Sequence, residues 1–205
     1  YVMDWNSSLY ALTKIESRFR IDSEIEYGNT LTDTTFIDKS FDVIVANPPY
    51  GVDWKDYRKA IETDKTGRFV ALPSISDGQL LFLMEMLSKM KPLSQSPQGS
   101  RIASVHNGSS LFTGDAGGGE SEIRKYIIEN DWLECIIALP KNIFYNTGIP
   151  TYIWIVSNKK APKRKGKVQL INAMELYEKL RKNLGQKNCE MKPGHIDAIT
   201  NLYMD

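Results

Sequence analysis

Residues 40–50 read SFDVIVANPPY, and this stretch decides the fold class. Its first seven residues are mostly apolar and β-branched, which predicts a strand buried inside a sheet. The prolines at 48 and 49 end that strand, because a central strand cannot continue through two prolines. Ligands of open α/β sheets bind at the carboxyl ends of the strands. Asn47-Pro48-Pro49-Tyr50 is therefore the candidate site, and a simple strand-ending turn is the alternative.

Strands and helices alternate on both sides of this stretch. Further strands are predicted at 1–4, 25–27, 101–106, 133–139, 151–157 and 168–171, and helices at 6–19, 78–90, 120–130, 175–184 and 196–203. Residues 51–75 have no hydrophobic period and predict a long loop with one helical turn. The alternation predicts an α/β sheet with helices on both faces and an antiparallel hairpin at the C-terminal side.

The composition is that of a soluble globular domain of 205 residues, with 41% hydrophobic and 25% charged residues. The sequence contains no run of about 20 apolar residues, the length that a membrane-spanning helix requires. Two cysteines, Cys135 and Cys189, and two distant histidines, His106 and His195, predict neither a disulfide framework nor a metal site. We therefore expect a reducing, cytoplasmic setting. With a net charge of +1, binding to a polyanion would require local basic patches or a partner.

The tetrapeptide suits the activation of an exocyclic amine on a nucleobase. Such an amine is a poor nucleophile because its lone pair is delocalised into the ring, and acceptors facing its two N–H bonds weaken that delocalisation. The Asn47 side-chain carbonyl and the Pro48 backbone carbonyl can be these acceptors, since a residue before a proline is held extended. Pro49 has no N–H that would compete for them, and Tyr50 offers a flat face for an extruded base.

The tetrapeptide resembles the catalytic motif of amino-methyltransferases, which move a methyl group from S-adenosylmethionine to an exocyclic or amide nitrogen. Alone it leaves adenine or cytosine in DNA, guanine in ribosomal RNA and protein glutamine open as substrates. Residues 101–119, 123–151 and 165–177 further resemble the modification subunit of type I restriction–modification systems. That resemblance covers essentially all 205 residues and disfavours the RNA and protein substrates.

The resemblance implies a Rossmann-like S-adenosylmethionine-dependent fold and an enzyme that methylates the N6 amine of adenine in DNA. It implies DNA, a specificity subunit and, in the full complex, a restriction subunit as partners. Asp4 would bind the ribose hydroxyls of S-adenosylmethionine, or would instead be an acidic residue at a helix start before Asn6. Trp5 would pack on the cofactor's adenine ring or lie in the core. Asn29 would accept a hydrogen bond from the adenine amine, where related enzymes commonly carry Asp.

The family's glycine-rich cofactor loop does not occur in the sequence. It should follow a first, central strand upstream of Tyr1, so we expect a piece of a longer protein that lacks this strand and is inactive alone. The four glycines between 114 and 119 are interpreted instead as a mobile loop that caps a helix. We expect residues 1–185 to be a partial catalytic domain and residues 186–205 to be a polar, helical extension.

Two alternatives for function stay open. A non-catalytic assembly module would explain the absent glycine loop and Asn29, and methylation of cytosine N4 could use the same acceptors. Six basic residues between 159 and 167 predict a solvated hairpin tip, with contact to DNA phosphates as the alternative. Phe144, Tyr145 and Tyr152 are either core residues or part of a base pocket.

Overall fold

The computed structural model describes residues 1–20, 22–33, 35–145 and 147–205. The strands are β1 (Val2–Asp4), β2 (Ile25–Tyr27), β3 (Val43–Ala46), β4 (Arg101–Asn107), β5 (Leu133–Ala138), β6 (Thr151–Ser157), β7 (Gln169–Asn172), β8 (Glu178–Leu184) and β9 (Lys187–Glu190). The helices are α1 (Ser7–Ser17), α2 (Arg58–Glu62), α3 (Gln79–Ser88), α4 (Ser109–Phe112), α5 (Gly119–Glu129) and α6 (Pro193–Met204). Among the helices of these ranges, none combines the length and apolarity that crossing a bilayer requires.

A five-stranded sheet with the order β3-β4-β6-β5-β7 forms the centre of the molecule. Strand β3 runs parallel to β4, and β7 runs parallel to β5. Strand β6 lies between β4 and β5 and is antiparallel to both. The predicted strand 40–46 is present in its second half, and the predicted strands at 101, 133 and 151 begin where expected.

Helices cover both faces of this sheet. Trp154 and Val156 of β6 contact a hydrophobic cluster that includes α3 and α5, whereas Ile153 and Ile155 contact a second cluster that includes Tyr203 of α6. Successive side chains of a strand point to opposite faces, so the two clusters lie on opposite sides of the sheet. Helix α3 is buried along most of its surface, as its run of Leu and Met residues predicts.

Strands β1 and β2 form a separate parallel pair. In the part of the chain that the structure describes, the outer edge of β3 has no strand partner, and Val43 and Val45 are 68% and 77% exposed. An apolar cavity of about 140 Å³, lined by Met3 and Ile44 among others, lies between β1 and β3.

The prediction of a helix over 175–184 is wrong. Residues Glu178–Leu184 form β8, which pairs antiparallel with β9 and makes the C-terminal hairpin. The Glu–Lys pairs four residues apart that favour a helix contribute only about 0.2–0.5 kcal/mol each. Gly185 has a φ of +62° in the hairpin turn, and Gln186 N donates to Tyr145 O at 3.0 Å. The boundary predicted between residues 185 and 186 thus falls inside this turn.

The basic segment 159–167 is a crossover connection and not a hairpin tip, because β5 lies between β6 and β7. Lys160 is buried, and its ammonium group binds Asp131 Oδ1 at 2.5 Å. Lys163 donates to the carbonyl of Asp205 at the end of the chain, and Arg164 stacks over the Tyr203 ring at 4.7 Å. Much of the positive charge of this segment therefore anchors the crossover to the rest of the molecule.

Candidate active site

The tetrapeptide 47–50 lies at the carboxyl end of β3, beside the carboxyl end of β4. Ala46, the last residue of β3, pairs with Ser104 of β4. Asn47 is exposed, Pro48 is buried, and no hydrogen bond from the described residues reaches the Asn47 side-chain oxygen or the Pro48 carbonyl. Neither predicted acceptor is occupied by another described residue, and Asn47 is open to solvent. Burial raises the pKa of Tyr50 above its usual value, so its hydroxyl stays neutral at physiological pH.

Asp4 and Trp5 lie at the carboxyl end of β1. Asp4 Oδ1 accepts a hydrogen bond from Asn6 N at 2.8 Å, and Asn6 in turn caps α1 through Ser8 N and Leu9 N. The second carboxylate oxygen of Asp4 has no partner among the described residues. Trp5 is 65% exposed in this structure. Asp4 therefore keeps one oxygen available for a hydroxyl group.

Asn29 follows β2 and neighbours the end of β1, where Gly28 N donates to Asp4 O at 3.1 Å. Asn29 Oδ1 accepts from Leu31 N at 3.0 Å, and Asn29 N donates to Asp33 Oδ2 at 2.7 Å. The amide oxygen retains one lone pair for a ligand, because a carbonyl oxygen can accept two hydrogen bonds.

Aromatic contacts at both ends of the strands connect the β1–β2 pair to the main sheet. Tyr1, before β1, packs on Phe41, before β3, with ring centroids 5.0 Å apart. Trp5, after β1, makes an edge contact with Tyr57 in the loop that follows the tetrapeptide, at 6.5 Å. The two strands therefore run in the same direction, and their carboxyl ends lie on the same side. Asp4, Asn29 and the tetrapeptide share this side.

Sequence reasoning missed a buried arginine that supports the loop after β2. Arg68 donates to the carbonyls of Thr30 and Leu31 at 3.2 and 2.9 Å, and it forms ion pairs at 2.8 Å with Asp64 and Glu85. Its side chain is 1% exposed. Arg68 lies in a stretch of the sequence without hydrophobic periodicity. The two carbonyl groups that it binds are 37 and 38 residues away in the sequence. No local pattern therefore indicates its role.

Three of the four glycines at 114–119 serve close packing, whereas Gly117 has a φ of +82° and nothing within 4 Å of the position of an added Cβ atom. A Cβ atom on Gly119 would lie 1.7 Å from Leu72 O. The neighbouring Glu120 accepts hydrogen bonds from the backbone N–H and hydroxyl of Ser74, and these hold the pKa of Glu120 below its usual value against the opposing effect of burial. The glycines thus allow α5 to begin directly against the loop that follows the tetrapeptide.

The three aromatic residues of uncertain role are in different environments. Phe144 packs against the cluster that contains Cys135, and Tyr152 packs against the cluster that contains Trp154. Tyr145 is 59% exposed, and Lys187 Nζ lies 5.3 Å from its ring centroid. Within the described ranges, no group of three or more His, Cys, Asp or Glu residues could hold a metal ion.

A profile of the N-6 DNA Methylase family matches residues 5–205. The chain belongs to this family. It is 30% identical over 208 residues to the type I restriction enzyme MjaIX methylase subunit of Methanocaldococcus jannaschii, covering 99% of this chain and 35% of that protein. It is 32% identical to the HindI methylase subunit of Haemophilus influenzae, covering 86% of this chain and 38% of that protein.

The fold matches that of a type I restriction–modification methyltransferase subunit from Streptococcus thermophilus with a TM-score of 0.78 and 26% identity. The match covers 99% of this chain and 41% of that subunit. The predicted methyltransferase fold and the resemblance to type I modification subunits are confirmed. The chain spans about a third of the length of the curated relatives it matches.

Proposed function

We propose that this chain is the catalytic segment of a DNA methyltransferase that modifies the N6 amine of adenine within a type I restriction–modification complex. The position of the tetrapeptide carries the proposal. Asn47 and Pro48 present carbonyl acceptors that have no hydrogen-bond partner among the described residues, at the carboxyl end of β3 and in a chain of the N-6 DNA methylase family.

Asn47 and Pro48 act on the target amine. Their carbonyl oxygens accept hydrogen bonds from the two N–H groups of the amine. These hydrogen bonds draw the nitrogen toward tetrahedral geometry and stabilise the positive charge that develops on it. The nitrogen releases its proton to water after it has acquired the methyl group, so no base is required beforehand. Pro49 leaves both acceptors without a competing backbone donor.

Tyr50 stacks on the adenine once that base has left the duplex. Enzymes that modify a base inside a duplex extrude it into a pocket and hold it between aromatic or apolar groups. Tyr50 is half-buried and neutral, which suits a stacking surface more than a proton-transfer group.

S-Adenosylmethionine, when bound, supplies an electrophilic methyl group on its sulfonium sulfur. The free carboxylate oxygen of Asp4 suits a ribose hydroxyl, and the free lone pair of Asn29 Oδ1 suits the cofactor's adenine amine. The exposed indole of Trp5 can pack on the adenine ring. These donors and acceptors fit the cofactor's nucleoside half.

The partners proposed are DNA, a specificity subunit and a restriction subunit, in the cytoplasm. The net charge of +1 supports a division of labour in which another subunit provides much of the binding to DNA. The ion pairs of Lys160 with Asp131 and of Arg164 with Glu134 also support this division, because they engage these basic groups within the chain and not with DNA phosphates.

The proposal is tested with the full-length subunit that contains this segment, purified with its specificity subunit. The complex is incubated with unmethylated genomic DNA and S-adenosylmethionine, and the DNA is digested to nucleosides for mass spectrometry. We expect N6-methyladenine. Detection of N4-methylcytosine in place of N6-methyladenine would show that the substrate is cytosine and not adenine. The absence of S-adenosylmethionine binding at millimolar concentration would contradict the enzyme function and favour the assembly module.

A further inference from the structure

The residue that follows the tetrapeptide is held by a carboxylate from a distant part of the chain. Gly51, directly after Tyr50, has a φ of +68°, and its backbone N–H donates to Asp77 Oδ1 at 3.0 Å. The same oxygen accepts from Gln79 N at 3.2 Å. Asp77 thus satisfies the donor at the point where the chain turns away from the tetrapeptide.

The other oxygen of Asp77 belongs to a polar network at the end of β4. The side-chain Nε2 of Gln79 donates to Asp77 Oδ2 and to Asn107 Oδ1, at 2.6 Å each. Ser109 Oγ also donates to Asp77 Oδ2, at 2.6 Å. Gln79 is 1% exposed, and its Oε1 accepts from Asn107 N at 3.2 Å. The carboxylate is therefore fixed relative to Asn107, the last residue of β4.

Three further hydrogen bonds join the segment after the tetrapeptide to the segment around Asp77. Gly78 N donates to Val52 O at 3.0 Å, and Trp54 N donates to Ile75 O at 3.1 Å. The buried Trp54 also donates from Nε1 to Ser74 O at 3.0 Å. Residues 51–54 and 74–78 thus form one unit, in which Asp77 makes the contact nearest to the tetrapeptide.

We infer that Asp77 is a positioning residue for methyl transfer, an inference that rests on the proposed function. Its carboxylate connects the exit of the tetrapeptide to the end of β4, and this connection sets the direction of the Asn47 and Pro48 carbonyls. A displacement of about 1 Å in a group that orients a reacting atom costs about 100-fold in rate. Asp77 acts through Gly51 and does not itself contact the target amine.

The carboxylate also borders a polar cavity of about 230 Å³ that is lined by Ser109 and Glu120 among others. Direct contact with a ligand in this cavity is the competing role for Asp77. The two roles differ in their kinetics, because a ligand contact changes binding whereas a positioning residue changes the rate of the chemical step.

The experiment compares Asp77→Ala, Asp77→Asn and Asp53→Ala in the full-length subunit bound to its specificity subunit. Asp53 is the matched control, since it lies in the same segment and, among the residues that the structure describes, its carboxylate accepts from Lys55 N alone, at 3.3 Å. For each protein, calorimetry gives the S-adenosylmethionine affinity and the fraction of binding-competent subunits. Single-turnover methylation gives the rate per competent subunit, and titration with DNA gives the DNA affinity.

We expect Asp77→Ala to lower the single-turnover rate about 100-fold while both affinities stay within about three-fold of wild type. Asp77→Asn keeps an acceptor for Gly51 N, so its single-turnover rate should be at least about ten-fold higher than that of Asp77→Ala. If Asp77→Ala does not fold, Asp77→Asn is compared with Asp53→Ala and wild type. Asp53→Ala should match wild type.

Three results would overturn the inference while wild type methylates adenine. The first is a wild-type single-turnover rate in Asp77→Ala. The second is a loss of DNA or cofactor affinity in Asp77→Ala without a loss of rate. The third is an equal loss of rate in Asp77→Asn and in Asp53→Ala. A wild-type complex that methylates no adenine would instead overturn the proposed function itself, together with this inference.

Discussion

The guanidinium of Arg68 donates to the backbone carbonyl of Leu31 at 2.9 Å. Leu31 N in turn donates to the side chain of Asn29, so the arginine holds the loop that contains a proposed cofactor residue. Arg68 itself is fixed by Glu85 of α3, at 2.8 Å. The core of the main sheet and the end of β2 are thereby joined through one buried side chain.

We expect Arg68→Ala to lower the free energy of unfolding by about 3–5 kcal/mol, because it leaves the carboxylate of Glu85 buried without its closest partner. The S-adenosylmethionine affinity should fall as well, since the loop at Asn29 loses its support. Arg58→Ala is the matched control, since its ion pair with Glu62 is exposed and should contribute about 0.2–1 kcal/mol. Urea unfolding and calorimetry of the full-length subunit measure both effects. Equal destabilisation by the two substitutions would refute the role of Arg68.

We expect Tyr50→Ala to weaken binding of an extruded adenine by about 1–3 kcal/mol, the usual contribution of one base stacked on an aromatic side chain. Tyr50→Phe keeps the flat ring and should bind as wild type does. The measurement is a fluorescence titration of the complex with duplexes that carry 2-aminopurine at target adenines, because its emission rises when the base leaves the stack. If Tyr50→Ala binds and extrudes the base as well as Tyr50→Phe does, Tyr50 has no stacking role.

His106 makes stability depend on pH. Burial lowers its pKa to about 4, although the nearby Asp77 charge opposes the shift. The unfolded chain therefore binds a proton below pH about 6.5 that the folded protein does not bind until pH 4, and stability falls as the pH drops through this window. From pH 7 to pH 5 the loss should be about 2 kcal/mol.

Urea unfolding at pH 7 and pH 5 measures this loss in wild type, His106→Gln and the control His195→Gln. The carboxylates contribute equally to all three proteins and cancel in the comparison. His106→Gln should lack the loss, and His195→Gln should retain it. An identical pH dependence in all three proteins would show that His106 titrates at its ordinary pKa.

Local patterns of the sequence predicted the parts of the fold that depend on local chemistry. Runs of apolar residues predict the buried helix α3 and the strand before Asn47, and the prolines after Asn47 end that strand. The helix that begins after Asn6 follows from the side-chain acceptor of Asn6. An antiparallel hairpin was predicted at the C-terminal side, but its position at β8–β9 was not, because the Glu–Lys spacing there suits a helix and Gly185 can end either structure. There the pairing with β9 and the contact of Gln186 with Tyr145 decide the outcome.

The candidate site was predictable only where one segment carries the chemistry. Asp4 ends a strand, Asn47 and Asn29 come just after one, and strand ends of a parallel sheet meet at one edge. Asp77 and Arg68 act on backbone groups 26 and 37 residues away, and the intervening loop has no hydrophobic period. Their roles depend on tertiary packing, which a single sequence does not encode in any local pattern.

The measurement that tests the central claim most directly is methyl transfer by the full-length complex with Asn47→Ala. The substitution removes an acceptor that acts on the amine only as the methyl group arrives, so it should abolish N6-methyladenine formation while the S-adenosylmethionine affinity stays within a few-fold of wild type. N6-methyladenine formation at the wild-type rate would contradict the account. So would a loss of cofactor binding as large as the loss of activity, because Asn47 would then shape the pocket and not act on the amine.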